Sequence, residues 1–90
     1  MSTERERVLK RVVALLCEQL KITEGASSWT DETPLLGRGV GLDSVQVIEL
    51  VDAIEQDFGI TIRNDDLRSA HFDTLGAVVS LIERQRAGSA

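Results

Sequence analysis

The stretch Gly41-Leu42-Asp43-Ser44-Val45-Gln46-Val47-Ile48-Glu49-Leu50-Val51-Asp52-Ala53-Ile54-Glu55-Gln56-Asp57-Phe58-Gly59 decides the fold. Its apolar residues Val47, Leu50, Val51, Ile54 and Phe58 follow at spacings of three, one, three and four, which lines them along one face of an α-helix. Gly59 directly after Phe58 is a helix stop. At the front, Asp43-x-x-Gln46 fits a capping box, in which the Asp43 carboxylate accepts from the residue 46 amide and the Gln46 side chain reaches back. With Asp43 as the cap, the Ser44 hydroxyl is not consumed and is free to point outward. The stretch predicts a helix over residues 44–58 with a serine at its positively polarised start, where an attached phosphate is favoured. Serine is also a common helix-start residue without chemistry, so the case for function rests on its surroundings.

Upstream, Val8, Val12, Leu15, Leu16 and Leu20 form a second helical stripe, widened by Leu9 and Val13, predicting a helix over about 4–21. Cys17 beside that stripe reads as a packing residue rather than a reactive thiol. Residues 22–42, with Gly25, Pro34, Gly37, Gly39 and Gly41, break the pattern and predict a long loop. Ile22, Trp29, Leu35 and Leu36 are its expected apolar anchors, docking it across the helices. Downstream, Ile60-Thr61-Ile62 alternates like a strand but has no partner strand, so it reads as an extended connection. Asn64 caps a predicted short helix over 64–70, and Asp73 or Thr74 caps a last one over 74–86 with Leu75, Val78, Val79 and Ile82 inward. Residues 87–90 are expected to fray. The expected fold is all-α: one domain over residues 1–90, a small antiparallel four-helix bundle of three longer helices and one short one.

Composition narrows the function classes. Ninety residues suffice for one core but not for a deep catalytic cavity. One cysteine excludes an intramolecular disulfide and a thiolate zinc cluster, and no apolar run reaches membrane-spanning length, so a soluble cytoplasmic protein is expected; a monomer is the expected state. Net charge is −5, unevenly spread. Residues 1–21 hold Arg5, Arg7, Lys10, Arg11 and Lys21 against Glu4, Glu6 and Glu18, a net +2. Residues 43–66 hold Asp43, Glu49, Asp52, Glu55, Asp57, Asp65 and Asp66 against Arg63 alone, a net −6. Such a region repels nucleic acid and attracts basic protein surfaces.

Catalytic readings of the same residues fail. The glycines of Gly37-Arg38-Gly39-Val40-Gly41 lack the Gly-Lys-Ser/Thr ending of a phosphate-binding loop and the preceding strand of a dinucleotide fold. The sole histidine, His71, has no orienting motif and Ser44 no nucleophile elbow, so His71 reads as a solvent-facing or packing residue. The carboxylates lack calcium-loop spacing. The glycines are expected instead to leave little bulk around Ser44, so that a second protein can deliver a large group onto its hydroxyl. Val45 and Ile48 fall outside the core stripe beside Glu49, Asp52 and Glu55, a pattern that suits partner docking: apolar contact for affinity, carboxylates for steering.

These residues together resemble the acyl carrier proteins. The match runs from the first helix, ending Glu18-Gln19-Leu20, through Gly41-Leu42-Asp43-Ser44-Val45-x-x-Ile48-Glu49-Leu50-Val51 and Ile54-Glu55-x-x-Phe58-Gly59-Ile60-x-Ile62 to the final aliphatic helix. The resemblance implies a carrier, not an enzyme. A phosphopantetheinyl transferase would attach 4′-phosphopantetheine from coenzyme A to Ser44, and the arm would carry acyl groups as thioesters. Asp43 would be the cap beside the site. Val45, Ile48, Glu49, Asp52, Glu55, Asp65 and Asp66 would dock partners such as an acyl-loading enzyme and a ketosynthase, for fatty acid or polyketide-type biosynthesis. Val47, Leu50, Ile54 and Ile62 would line an acyl pocket. Gln46 and Asp52 depart from the usual acidic and methionine residues, and Val45 is shorter than the usual leucine, which suggests a specialised partner set. The alternatives are a peptidyl or aminoacyl carrier, which usually has Gly-Gly-x-Ser or His-Ser before the modified serine, and an unmodified helical interaction module.

Overall fold

The central helix begins and ends where its sequence signals stand. In a computed structural model of the chain, which describes residues 4–36, 39–62 and 73–88, the three longer helices are α1 (Glu4–Gln19), α2 (Ser44–Phe58) and α3 (Leu75–Gly88). α2 is closed at its C-terminus by Gly59, whose φ of 67° is left-handed and whose amide donates to the Glu55 carbonyl at 3.0 Å. No strand forms among the described residues; only isolated bridges pair Pro34 with Thr74 and Leu36 with Leu42. The described residues are therefore all-helical in their regular structure. The short helix expected over 64–70 lies outside the described residues.

α1 opens with Glu4 and Glu6, which suit the positive end of its dipole. It stops at Gln19, two residues earlier than its periodicity predicts. The cause is Lys21, which takes φ 61° and turns the chain so that the Ile22 amide donates to the Leu16 carbonyl at 3.1 Å. α3 starts one residue later than expected because Thr74 is its cap: its carbonyl accepts from the Val78 amide and its Oγ1 from the Ala77 amide at 3.1 Å. The helix then continues to Gly88, past the predicted end at 86 and into residues expected to fray.

One aliphatic core joins the three helices, and α1 packs against both α2 and α3. It takes Val8, Val12, Leu15 and Leu16 from α1, Leu50, Val51 and Ile54 from α2, and Leu75, Val78, Val79, Leu81 and Ile82 from α3. The loop contributes Leu35, Val40 and Leu42, and Ile60 and Ile62 follow from the segment after α2. Ile22 and Trp29 pack partly buried against it, as loop anchors. Leu36 does not: it is 49% exposed, because consecutive extended residues point to opposite sides and Leu35 already faces inward. The buried partners that replace it are Val40 and Leu42, which alternate with Gly39 and Gly41.

The loop is docked on the start of α3. Leu35 donates to the Asp73 carbonyl at 3.1 Å, Leu75 to Thr33 at 2.9 Å and Gly76 to Asp31 at 2.8 Å. Gly76 is required by that approach, since a Cβ there would lie 2.8 Å from the Asp31 carbonyl oxygen. Arg5 ties α1 into the same junction. Its guanidinium donates to Asp31, Ser80, Glu83 and the Gly76 carbonyl, each at 3.0 Å. Burial opposes its charge, but the hydrogen bonds and charges of Asp31 and then Glu83 outweigh that, raising the Arg5 pKa above its ordinary value. At the other end of α2, Arg86 lies 5.8 Å from the Phe58 ring centroid and pairs with Glu4 at 2.9 Å, linking all three helices.

Candidate functional site

Ser44 is the first residue of α2, and the residues before it fix how it is presented. Leu42 is buried and its amide donates to the Leu35 carbonyl at 2.8 Å, while Val40 donates to the Pro34 carbonyl at 2.8 Å. These two bonds hold the approach to the helix, and Gly41 turns within it at φ 82°. Gly39 has a different task from the one expected of it. A Cβ there would fall 1.9 Å from the Pro34 carbonyl oxygen, so its lack of a side chain closes the loop on itself rather than clearing space for a visiting protein.

Both halves of the capping box are formed. Asp43 Oδ1 accepts from the Gln46 amide at 2.8 Å, and Gln46 Oε1 accepts from the Asp43 amide at 3.1 Å. The first intrahelical bond runs from the Val47 amide to the Asp43 carbonyl at 3.0 Å. Amides 44 and 45 thus have no intrahelical acceptor and face the helix start, where the dipole favours an anion. Ser44 is exposed, and no hydrogen bond engages its hydroxyl among the described residues. A phosphodiester on that oxygen would meet open solvent, two uncommitted amides and the positive end of a helix, so the residues present fit such a group.

The neighbouring surface of α2 is partly apolar. Val45 is 64% exposed and Ile48 60%, which together with Leu36 makes three large exposed apolar side chains among the described residues. Glu49 and Asp52 are exposed beside them and border a shallow groove between α1 and α2 with Gln19, Leu20, Ala53 and Gln56. Glu55 differs from these two. It is half-buried, and its Oε2 accepts from the Ile62 amide at 2.8 Å, a contact that no spacing in the sequence announces. Leu50, Ile54 and Ile62 are buried in the shared core, with Val47 partly buried against it. Asp65, Asp66 and His71 lie outside the described residues.

Further along the cleft between α1 and α2, next to Ala53 and Gln56, Arg11 of α1 grips Asp57 near the end of α2 through two nitrogens, Nε to Oδ2 at 2.7 Å and Nη2 to Oδ1. The hydrogen bond from Arg11 holds the Asp57 carboxyl below its ordinary pKa; partial burial opposes the shift and the Arg11 charge adds to it. No helix among the described residues is long and apolar enough to cross a membrane.

The family model for the phosphopantetheine attachment site matches residues 10–82. The chain is 38% identical over 88 residues to an acyl carrier protein of Sinorhizobium fredii, covering 97% of this chain and 100% of the relative. It is 32% identical over 81 residues to one of Thermotoga maritima, covering 90% of this chain and 94% of the relative. With one of Saccharopolyspora erythraea it shares 32% over 78 residues, 87% of this chain and 77% of the relative. An exposed, uncommitted serine hydroxyl at a capped helix start is thus accompanied by similarity along nearly the whole chain. The chain belongs to the acyl carrier protein family, whose members are carriers bearing 4′-phosphopantetheine and not enzymes.

Proposed function

We propose that Ser44 is the attachment residue and that the protein is a discrete, monomeric, cytoplasmic acyl carrier for fatty acid or polyketide-type biosynthesis. The observation that carries this reading is the division of labour at the start of α2: Asp43 and Gln46 cap the helix, which leaves the Ser44 oxygen available. In the modification, Ser44 Oγ forms the new P–O bond and loses its proton to the phosphopantetheinyl transferase. The pyrophosphate bond of coenzyme A breaks, and adenosine 3′,5′-bisphosphate leaves. The attached group supplies a flexible arm ending in a thiol, on which acyl groups are carried as thioesters.

Partners would be an acyl-loading enzyme and a ketosynthase, both docking on α2. Val45 and Ile48 offer apolar contact and Glu49 and Asp52 offer charge, a pairing that gives affinity and steers encounter with basic surfaces. Asp65 and Asp66 extend the acidic run in sequence. Leu50, Ile54 and Ile62, with Val47 beside them, are the proposed walls for an acyl chain entering between α2 and the segment that follows it.

The test is intact mass after incubation with coenzyme A, magnesium and a broad-specificity transferase. The wild type is expected to gain one phosphopantetheine and Ser44→Ala none. No gain on the wild type, or an equal gain on the variant, would reject Ser44 as the site.

A further inference from the structure

At Gly59 the chain leaves α2 and enters a short non-helical segment that no strand supports among the described residues. Ile60 and Ile62 nevertheless sit in the core at 8% and 6% exposure, with Thr61 facing out between them. Burying alternate residues of an unpaired segment leaves backbone amides in need of acceptors. Glu55 meets that need at Ile62, besides closing the helix that precedes the segment. Its main-chain carbonyl accepts from the Gly59 amide at 3.0 Å, and its side-chain Oε2 accepts from the Ile62 amide at 2.8 Å. One residue of α2 thereby accepts from both Gly59 and Ile62. The second bond is charge-assisted, which makes it stronger than an amide–amide pair.

We propose that Glu55 is a positioning residue: it pins Ile62 against α2 and so sets how readily the core opens between Leu50, Ile54 and Ile62 to admit a bound acyl chain. The proposal rests on the carrier reading above and gives Glu55 a task distinct from steering by Glu49 and Asp52. A docking carboxylate works through its charge. A positioning carboxylate works through its acceptor oxygen, which a glutamine also possesses. Glu55→Gln separates the two roles, and Glu55→Ala removes both.

The experiment uses the full chain as wild type, Glu55→Gln and Glu55→Ala, each measured unmodified and after modification from acetyl- or octanoyl-coenzyme A. Amide hydrogen exchange at Ile62 reads the pin. Methyl shifts of Ile54 and Ile62, octanoyl against acetyl, read the chain. Exchange at Ile62 is expected to be only a few-fold faster in Glu55→Gln than in wild type, because a neutral acceptor replaces the charged one, and roughly tenfold or more faster in Glu55→Ala. Exchange at Leu50 and Ile54 should stay slow in all three, which also shows that each variant is folded. The octanoyl-dependent shifts should persist in Glu55→Gln and change in Glu55→Ala. Unchanged Ile62 exchange in Glu55→Ala, or an equal loss in both variants, overturns the positioning role. Faster exchange with unaltered octanoyl shifts overturns its link to the acyl chain. Absence of octanoyl-dependent shifts in the wild type removes the pocket reading itself, while Ile62 exchange still decides whether Glu55 is a pin.

Discussion

Gly39 lies so close to Pro34 that the missing side chain is itself a structural element: a Cβ would stand 1.9 Å from the Pro34 oxygen, 2.7 Å from its carbon and 2.8 Å from its nitrogen. All three neighbours are backbone atoms and none can swing aside. Gly39→Ala therefore has to displace the loop, loosening the Val40 to Pro34 bond and the burial of Val40 and Leu42. The expected cost is about 2 kcal/mol, in the range of overpacked cores. Gly59→Ala is the control, because nothing lies within 4 Å of the Cβ and only the positive φ opposes it, for about 1 kcal/mol. Urea denaturation of the two variants checks the order; a Gly39→Ala protein as stable as the wild type would show that the loop closes otherwise.

The capping box predicts an asymmetry between adjacent residues. Asp43→Ala removes the acceptor of the Gln46 amide and is expected to cost about 1 kcal/mol, as measured for helix caps generally. Ser44→Ala removes an exposed hydroxyl that caps nothing and should change stability by no more than about 0.5 kcal/mol. Thermal denaturation of both variants decides the matter. Equal destabilisation would return Ser44 to the role of an ordinary helix-start residue.

How much of this was open to sequence reading depends on whether the cause was local. α2 was legible because its stripe, its box and Gly59 all lie within one segment, and the same holds for Thr74 at α3. The end of α1 was not, because Lys21 adopts a left-handed conformation without the glycine that normally signals one. The loop's attachment was not legible either. Leu35 meets Asp73 and Leu75 meets Thr33 through backbone groups, which every residue has, so no side-chain pattern marks the pairing. Arg5 illustrates the same limit, since three of its acceptors lie 71 to 78 positions away. At the candidate site, the cap that Asp43 and Gln46 form beside Ser44 was readable from spacing, whereas the outward turn of Leu36 and the Glu55–Ile62 bond follow from the folded chain path.

Acid should release the tie between α1 and the end of α2. Asp57 has its pKa lowered in the folded protein, chiefly by the hydrogen bond from Arg11, so the folded state favours its charged form. The stabilisation is fully present above the ordinary aspartate value of about 3.9 and is lost as pH falls through the lower folded value. Arg11→Gln removes the cause. The gap in urea midpoint between wild type and Arg11→Gln is expected to be constant from neutral pH down to about 5 and to shrink below about 4. A gap independent of pH down to strong acid would mean that Arg11 contributes through its aliphatic stem instead of its charge.

The acidic face of α2 makes a prediction about rate. Glu49 is exposed on the side of α2 that carries Val45 and Ile48, and its replacement leaves the core residues Leu50 and Val51 in place. Glu49→Lys changes the local charge by two and should slow encounter with a basic partner surface, lowering kcat/KM for the transferase or a loading enzyme roughly three- to tenfold at low salt. Because the effect is long-range, it should narrow as ionic strength rises and the screening length falls to about 8 Å. Helicity by circular dichroism should match the wild type. A rate loss that persists undiminished in high salt would point to a direct contact at Glu49, and a loss of helicity would show that the side chain supports α2 itself.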